Sequence, residues 1–261
     1  MAASYTGKFL WYELMTSDVK AAEVFYTQVV GWGARDAGMA EPYTLFTLGK
    51  GGDAPPVGGL MGTPPEAKAA GAPPHWTGYI GVEDVDATAA RVEQAGGKTI
   101  VPAMDIPNVG RFAILTDPQG AAFALFKPGS EPAANPPAPG TAGTVGWHEL
   151  MAVDGPKATE FYTSVFGWKK GEAMDMGPNG VYQIFLIQGE QAGGIMTKMP
   201  EMPVPAWGYY FNVDAIDAAV ARVKDKGGQV INGPMEVPGG SWIINGIDPQ
   251  GAHFALVAPK R

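Results

Sequence analysis

From Phe9 to Met15 apolar and polar residues alternate, the period-two pattern of a half-buried strand. Past Asp18 the period lengthens. Ala21, Phe25 and Val29 recur every fourth residue, which predicts a helix with Asp18 as N-cap and Gly31 as its stop. Three short strands are expected next, around Trp32–Arg35, from Tyr43 (YTLFTL) and from Val57 (VGGLM). The order then returns. A strand (TGYIGV) precedes a helix from Asp84 that carries Val85, Ala89 and Val92 and ends at Gly96-Gly97. Strands near KTIV, RFAILT and AFALF follow it.

This β-α-β-β-β order is written twice more, because the chain repeats itself. WYELMTSDVKAAEVFYTQVVGW from Trp11 aligns without gaps on WHELMAVDGPKATEFYTSVFGW from Trp147, an offset of 136. WTGYIGVEDVDATAARVEQAGGKTI from Trp76 aligns on WGYYFNVDAIDAAVARVKDKGGQVI from Trp207, an offset of 131 that holds through TDPQGAAFALF and IDPQGAHFALV. A single module has too few strands to be stable alone. Pairing modules buries sheet ends, leaving a cup between curved sheets with the helices outside. The expected architecture is α+β: four βαβββ modules in two domains, residues 1–128 and 145–261. A Pro-rich segment, residues 129–144, has no apolar periodicity and reads as a semi-rigid linker. Pairing of neighbouring modules is the simplest arrangement, and pairing across the linker is a second.

Composition narrows the function classes. The 261 residues carry a formal net charge of −8 with no basic cluster, which argues against a nucleic-acid partner. There is no cysteine, so disulfides, thiolate metal sites and a cysteine nucleophile are excluded. No apolar run is long enough to span a membrane, and the N-terminal stretch lacks the layout of a secretory signal. A soluble cytoplasmic protein, monomeric or homodimeric, is expected. The 37 glycines and 24 prolines fit many short elements joined by tight turns. A phosphate-cradling loop and a serine nucleophile elbow are both missing.

The order D…FY…(V/F)GW after a first strand, and GG…DPQG…F before a last one, resembles the vicinal oxygen chelate superfamily, which includes glyoxalase I, bleomycin resistance proteins and extradiol dioxygenases. The resemblance covers nearly the whole chain. It implies cups that hold a divalent metal, with His or Glu ligands from the first and fourth strands of each module. Carried over position by position, the first-strand ligands fall on Trp11, Trp147, Thr77 and Gly208. The fourth-strand ligands fall on Ala124, Ala255, Gly59 and Gly194. None of these is a good ligand for a divalent ion, so neither a metal nor another cofactor is expected.

Trp11 and Trp147 would then point into the cups in place of a histidine. Two roles are open to these indoles: stacking platforms for a flat or apolar ligand, or plugs for the space of a metal. Alternation puts Glu13 beside Trp11 and Glu149 beside Trp147 on the same face. Each is a candidate general acid or base, or a strand-ordering acceptor. His253 lies two residues before Ala255 and His75 two before Thr77, so each is expected to reach a cup, whereas His148 should face the helix layer. One Glu and one His per cup are fewer ligands than the three of a usual catalytic zinc site. They form an acid/base pair more readily than a displaced metal site. Asp105 and Glu236 match in loops expected at the cup rims, and Arg111 aligns with Trp242, an anion clamp against a stacking surface, or else an exposed arginine capping a strand. A small organic molecule is the expected partner. The readings are a metal-independent glyoxalase-like enzyme using Glu13 or Glu149, a binding protein of the bleomycin-resistance type, and, third, a metal-dependent lyase or dioxygenase.

Overall fold

The computed structural model describes residues 5–130 and 136–261. Four βαβββ modules follow one another. The first comprises β1 (Phe9–Thr16), α1 (Val19–Val29), β2 (Gly33–Asp36), β3 (Thr44–Thr47) and β4 (Pro56–Gly62). A short helix, α2 (Pro65–Ala69), leads to β5 (His75–Gly81), α3 (Val85–Gln94), β6 (Lys98–Ile106), β7 (Gly110–Thr116) and β8 (Ala122–Pro128). The third module is β9 (Val145–Ala152), α4 (Gly155–Phe166), β10 (Lys169–Asp175), β11 (Val181–Ile187) and β12 (Glu190–Thr197). The fourth is β13 (Ala206–Asn212), α5 (Ile216–Asp225), β14 (Gln229–Glu236), β15 (Trp242–Ile247) and β16 (His253–Ala258). The strands form two eight-stranded mixed sheets, ordered β2-β3-β4-β1-β5-β8-β7-β6 and β10-β11-β12-β9-β13-β16-β15-β14. Two local expectations are corrected. Helix α2 has no counterpart in the apolar pattern, since none of its residues is buried. Asp105 is the last residue but one of strand β6 and Glu236 the last of β14; they are not in loops.

The backbone falls into two compact units, each drawn from both halves of the sequence. One comprises Met1–Leu10, Thr77–Pro136 and His148–Trp207; the other comprises Trp11–Trp76, Pro137–Trp147 and Gly208–Arg261. The core of the second gathers Tyr26, Trp32, Phe46, Trp76, Phe211 and Phe254. Its polar atoms are satisfied in series: the Trp76 indole donates to Tyr26 Oη at 2.9 Å, and the Tyr26 hydroxyl donates to Asp248 Oδ2 at 3.0 Å. The core of the first unit repeats this with different residues. Trp207 donates to Tyr162 Oη at 3.0 Å and Tyr162 to Asp117 Oδ2 at 3.3 Å, beside Phe123, Trp168 and Phe185. Burial raises the pKa of both aspartates, against the backbone N–H donors that hold them.

Both aspartates belong to the DPQG segments. Asp117 Oδ1 accepts from the N–H of Gln119 and Ala121, and Asp248 Oδ1 from those of Gln250 and Ala252. The motif therefore closes the turn before the last strand of its module and anchors a helix tyrosine. Part of the proposed linker, residues 131–135, lies outside the described residues. Its later part packs on the second unit, where Trp32 donates to the carbonyl of Gly143 at 2.7 Å. Gly143 has φ +86°, and a Cβ there would press on Leu48 and the Trp32 indole.

Candidate functional site

Alternation along β1 puts Leu14 and Thr16 on the fully buried helix side, and leaves Trp11, Glu13 and Met15 on the other face, all three half-buried. In the parallel pairing of β1 with β4, Glu13 stands opposite Gly59. Leu45 of β3 continues that row. Tyr43, two residues earlier on the same face, lays its ring across Gly59, where a Cβ would collide with the phenol. The glycine thus makes room for a hydrogen-bonded chain. The Trp11 indole donates to Tyr43 Oη at 2.9 Å, and the Tyr43 hydroxyl donates to Glu13 Oε2 at 2.7 Å. Burial, with the Glu13 charge second, raises the Tyr43 pKa far above its ordinary value. The phenol therefore keeps its proton and acts as the donor that orients a carboxylate beside an indole.

The third module repeats the ingredients. β9 carries Trp147 and Glu149 two positions apart, Glu149 stands opposite Gly194 of β12, and a Cβ on Gly194 would collide with the ring of Tyr182. Tyr43 and Tyr182 were the residues missed from the sequence. Their signal was present, because both open matching strand segments (YTLFTL and YQIFLI) and both Gly-Gly pairs recur.

The remaining candidates are not gathered with these residues. His75 is half-buried, with Nδ1 2.7 Å from the carbonyl of Pro73. His253 is exposed at the start of β16. His148 is buried, with Nδ1 near the Ala192 carbonyl and its ring stacked on Phe9 at 4.1 Å; burial lowers its pKa to about 4. Arg111 shares a strand face with buried Ala113 and Leu115 and so lies on the helix side. There it pairs with Asp86 of α3 at 2.8 Å and with Asp105 at 3.1 Å. Trp242 occupies the matching helix-side position, and the Arg261 guanidinium lies over its ring at 4.9 Å. Glu236 is exposed. Two clefts, of about 390 and 220 Å³, hold none of these candidate residues.

The donor set does not fit the divalent ion that the resemblance implies. At the first-strand positions stand two indoles, a threonine and a glycine, and Trp11 uses its only polar atom as a donor. At the fourth-strand positions stand Ala124 and Ala255, both buried, and two glycines covered by tyrosine rings. Among the described residues no three His, Asp or Glu side chains are grouped as a metal would need.

Comparison with known proteins points one way. A profile described as the Glyoxalase/Bleomycin resistance protein/Dioxygenase superfamily matches residues 8–125 and 144–256. The chain is 37% identical to CFP32 of Mycobacterium tuberculosis, a candidate glyoxylase, over 95% of this chain and 94% of that one. It is 35% identical to the anthracycline biosynthesis protein DauV of Streptomyces sp. (strain C5), over 95% and 91%. Among solved structures, the Mn(II)-bound glyoxalase from Novosphingobium aromaticivorans superposes with a TM-score of 0.65 at 18% identity, covering 98% of this chain and 83% of that one. The 2,2',3-trihydroxybiphenyl 1,2-dioxygenase of Sphingomonas wittichii strain RW1 superposes at 0.67 with 16% identity, covering 99% and 91%. At those identities the structures speak for the fold alone.

Proposed function

The chain belongs to the Glyoxalase/Bleomycin resistance protein/Dioxygenase superfamily, and on that premise we propose that it is a glyoxalase-like enzyme that transforms a small organic molecule without the family's metal, using Glu13 as proton acceptor. The observation that carries this reading is the chain Trp11–Tyr43–Glu13, which fixes one carboxylate beside an indole on a half-buried face. The indole supplies a flat apolar surface for the substrate. The tyrosine holds the carboxylate in one orientation, so its position relative to a bound molecule is set before binding. Glu149 with Trp147 is the corresponding pair in the second copy. The relatives' names fit such substrates: one is linked to glyoxylase chemistry, the other to anthracycline biosynthesis.

One feature favours a second reading, ligand sequestration without turnover. The Glu13 oxygen that faces Tyr43 already accepts its hydroxyl, which is the part of a strand-ordering acceptor as much as of a base. The two readings separate in a single series. Aromatic hydroxy and oxo compounds are screened by quenching of indole fluorescence, and any binder is followed for chemical change. Glu13→Gln is expected to slow turnover by about a hundredfold or more, the usual scale for general acid–base catalysis, with affinity within a few-fold. Turnover unchanged in Glu13→Gln and Glu149→Gln would rule out the carboxylates as bases. A tight ligand that is never transformed would leave sequestration.

A further inference from the structure

The two copies differ where their second halves present the sheet face away from the helices. In the fourth module, Tyr210 of β13, Ala255 of β16 and Asn245 of β15 form one row across the sheet, and Asn232 of β14 extends it. The row is hydrogen-bonded in sequence. Asn232 Nδ2 donates to Asn245 Oδ1 at 3.3 Å, and Asn245 Nδ2 donates to Tyr210 Oη at 3.2 Å. Register identifies the counterparts in the second module without ambiguity. Val101 of β6 stands opposite Ile114 of β7, Ile114 opposite Ala124, and Ala124 opposite Tyr79 of β5. Two irregularities in the β6–β7 ladder flank Val101 as two in the β14–β15 ladder flank Asn232, so the two positions correspond in register. The residues that follow differ: Gly233 has φ +89° and a cis bond to Pro234 where the second module has Pro102 and Ala103. Duplicated modules have kept the tyrosine and exchanged two aliphatic residues for two carboxamides. Tyr79 lies instead among rings, with Phe112 at 6.2 Å and Phe126 at 6.3 Å.

Resting on the small-molecule reading above, we propose that Asn232 and Asn245 make the fourth-module face a subsite for the hydroxyl group of a ligand, and that the matching face of the second module, with Val101 and Ile114, accepts apolar ligand surface instead. The chain of bonds sets the polarity of the subsite. Tyr210 takes one Asn245 donor, Asn245 takes one Asn232 donor, and the Asn232 amide oxygen ends the row as an acceptor on an exposed residue. An O–H donor satisfies that oxygen. A ligand lacking one would strip water from the outer carboxamide and return no hydrogen bond, which costs binding. Each copy therefore selects a different part of ligand chemistry.

A matched pair of probes tests this on the full chain, 4-fluorophenol against fluorobenzene, followed by fluorine NMR with asparagine side-chain amides labelled with ¹⁵N. The expected result is that 4-fluorophenol binds about three- to tenfold more tightly, the scale of one neutral hydrogen bond, and shifts the Asn232 and Asn245 amide signals. The double variant Asn232→Val/Asn245→Ile should lose that preference while still binding fluorobenzene. The reciprocal Val101→Asn/Ile114→Asn, which leaves the fourth module intact, should gain a second phenol-preferring site. Equal binding of the two probes to the unsubstituted chain overturns this inference alone, as does a preference that survives the Asn232→Val/Asn245→Ile exchange. No binding of either probe overturns the small-molecule reading together with it.

Discussion

Tyr43 shows how little of a site can depend on the residue type that draws attention first. Glu13 was conspicuous from its place two residues after Trp11, but its orientation comes from a phenol 30 positions along the chain. That phenol reaches it only because Gly59 has no side chain. No local pattern announces such a contact, since it depends on the register of three strands. His148 carries a second lesson at this scale. Its ring is buried against Phe9, and burial lowers its pKa to about 4 from an ordinary 6.5. Between those values the unfolded chain binds a proton that the folded chain refuses. The contribution of the neutral ring is therefore intact above pH 6.5 and lost as pH falls toward 4, by about 2 kcal/mol between pH 7 and 5. His148→Phe removes the titration but retains a ring to stack on Phe9. Denaturant unfolding at pH 7 and 5 should show the unsubstituted protein losing about that much more stability than the variant. Parallel losses in the two proteins would contradict the assignment.

At the scale of elements, the duplicated sequence lets one copy serve as the control for another. Asp18, Asp84 and Asp154 each cap their helix by accepting from the N–H three residues on. At the matching position of the fourth module stands Ala215, which has extended backbone angles of the same kind (φ −151°, ψ 135°) and no side-chain cap. Ala215→Asp should supply the missing acceptor without moving the backbone, stabilising the protein by about 1 kcal/mol. A rise in melting temperature would show this, and an unchanged or lower value would mean that the cap geometry is not available to a side chain there. Charges have been exchanged between elements in the same way. Arg111 pairs with Asp86 in the first turn of α3. In the other copy Trp242 takes the arginine's place, and Arg261 lies over that indole and pairs with Asp217 in the first turn of α5. An alignment shows Arg against Trp as a change of specificity. The structure explains it as the same cation brought to the same helix end from a different part of the chain.

At the scale of the molecule, the sheets follow the two sequence repeats and the compact units do not. In the second unit, Phe25 of α1 packs edge-on against Phe254 of β16, Arg222 of α5 donates to the Val29 carbonyl at 2.9 Å, and Tyr26 reaches Asp248. In the first unit, Gln119 and Asp154 exchange two hydrogen bonds, at 2.6 and 2.9 Å. Each pair joins residues from opposite sides of the Pro-rich segment. Residues 1–128 produced alone would leave Phe25 and Tyr26 of α1 and Phe123 of β8 without these partners, and residues 145–261 alone would leave Phe161 and Tyr162 of α4 and Phe254 of β16 without theirs. The two fragments made together should assemble into one complex, and each made separately should aggregate or self-associate. Size-exclusion chromatography with circular dichroism distinguishes these outcomes, and a folded, monomeric single fragment would defeat the argument.

Much of this protein was determined by its sequence. Period-two and period-four runs placed the strands and helices, the 136- and 131-residue offsets exposed the duplication, and the substituted residues at the family's ligand positions were readable one by one. These are properties of short segments, or of segments compared with each other, and local backbone preference and side-chain burial suffice to express them. What the tertiary structure decided was which segments meet. It alone brought Tyr43 over Gly59, turned Arg111 to the helix side, drew Asn232 and Asn245 into one row, and built each compact unit from both repeats. The physical reason is the same in every case. A contact between distant residues depends on strand register and on which buried faces close on each other, and both are set by the free energy of the whole packed core, not by the residues that happen to touch.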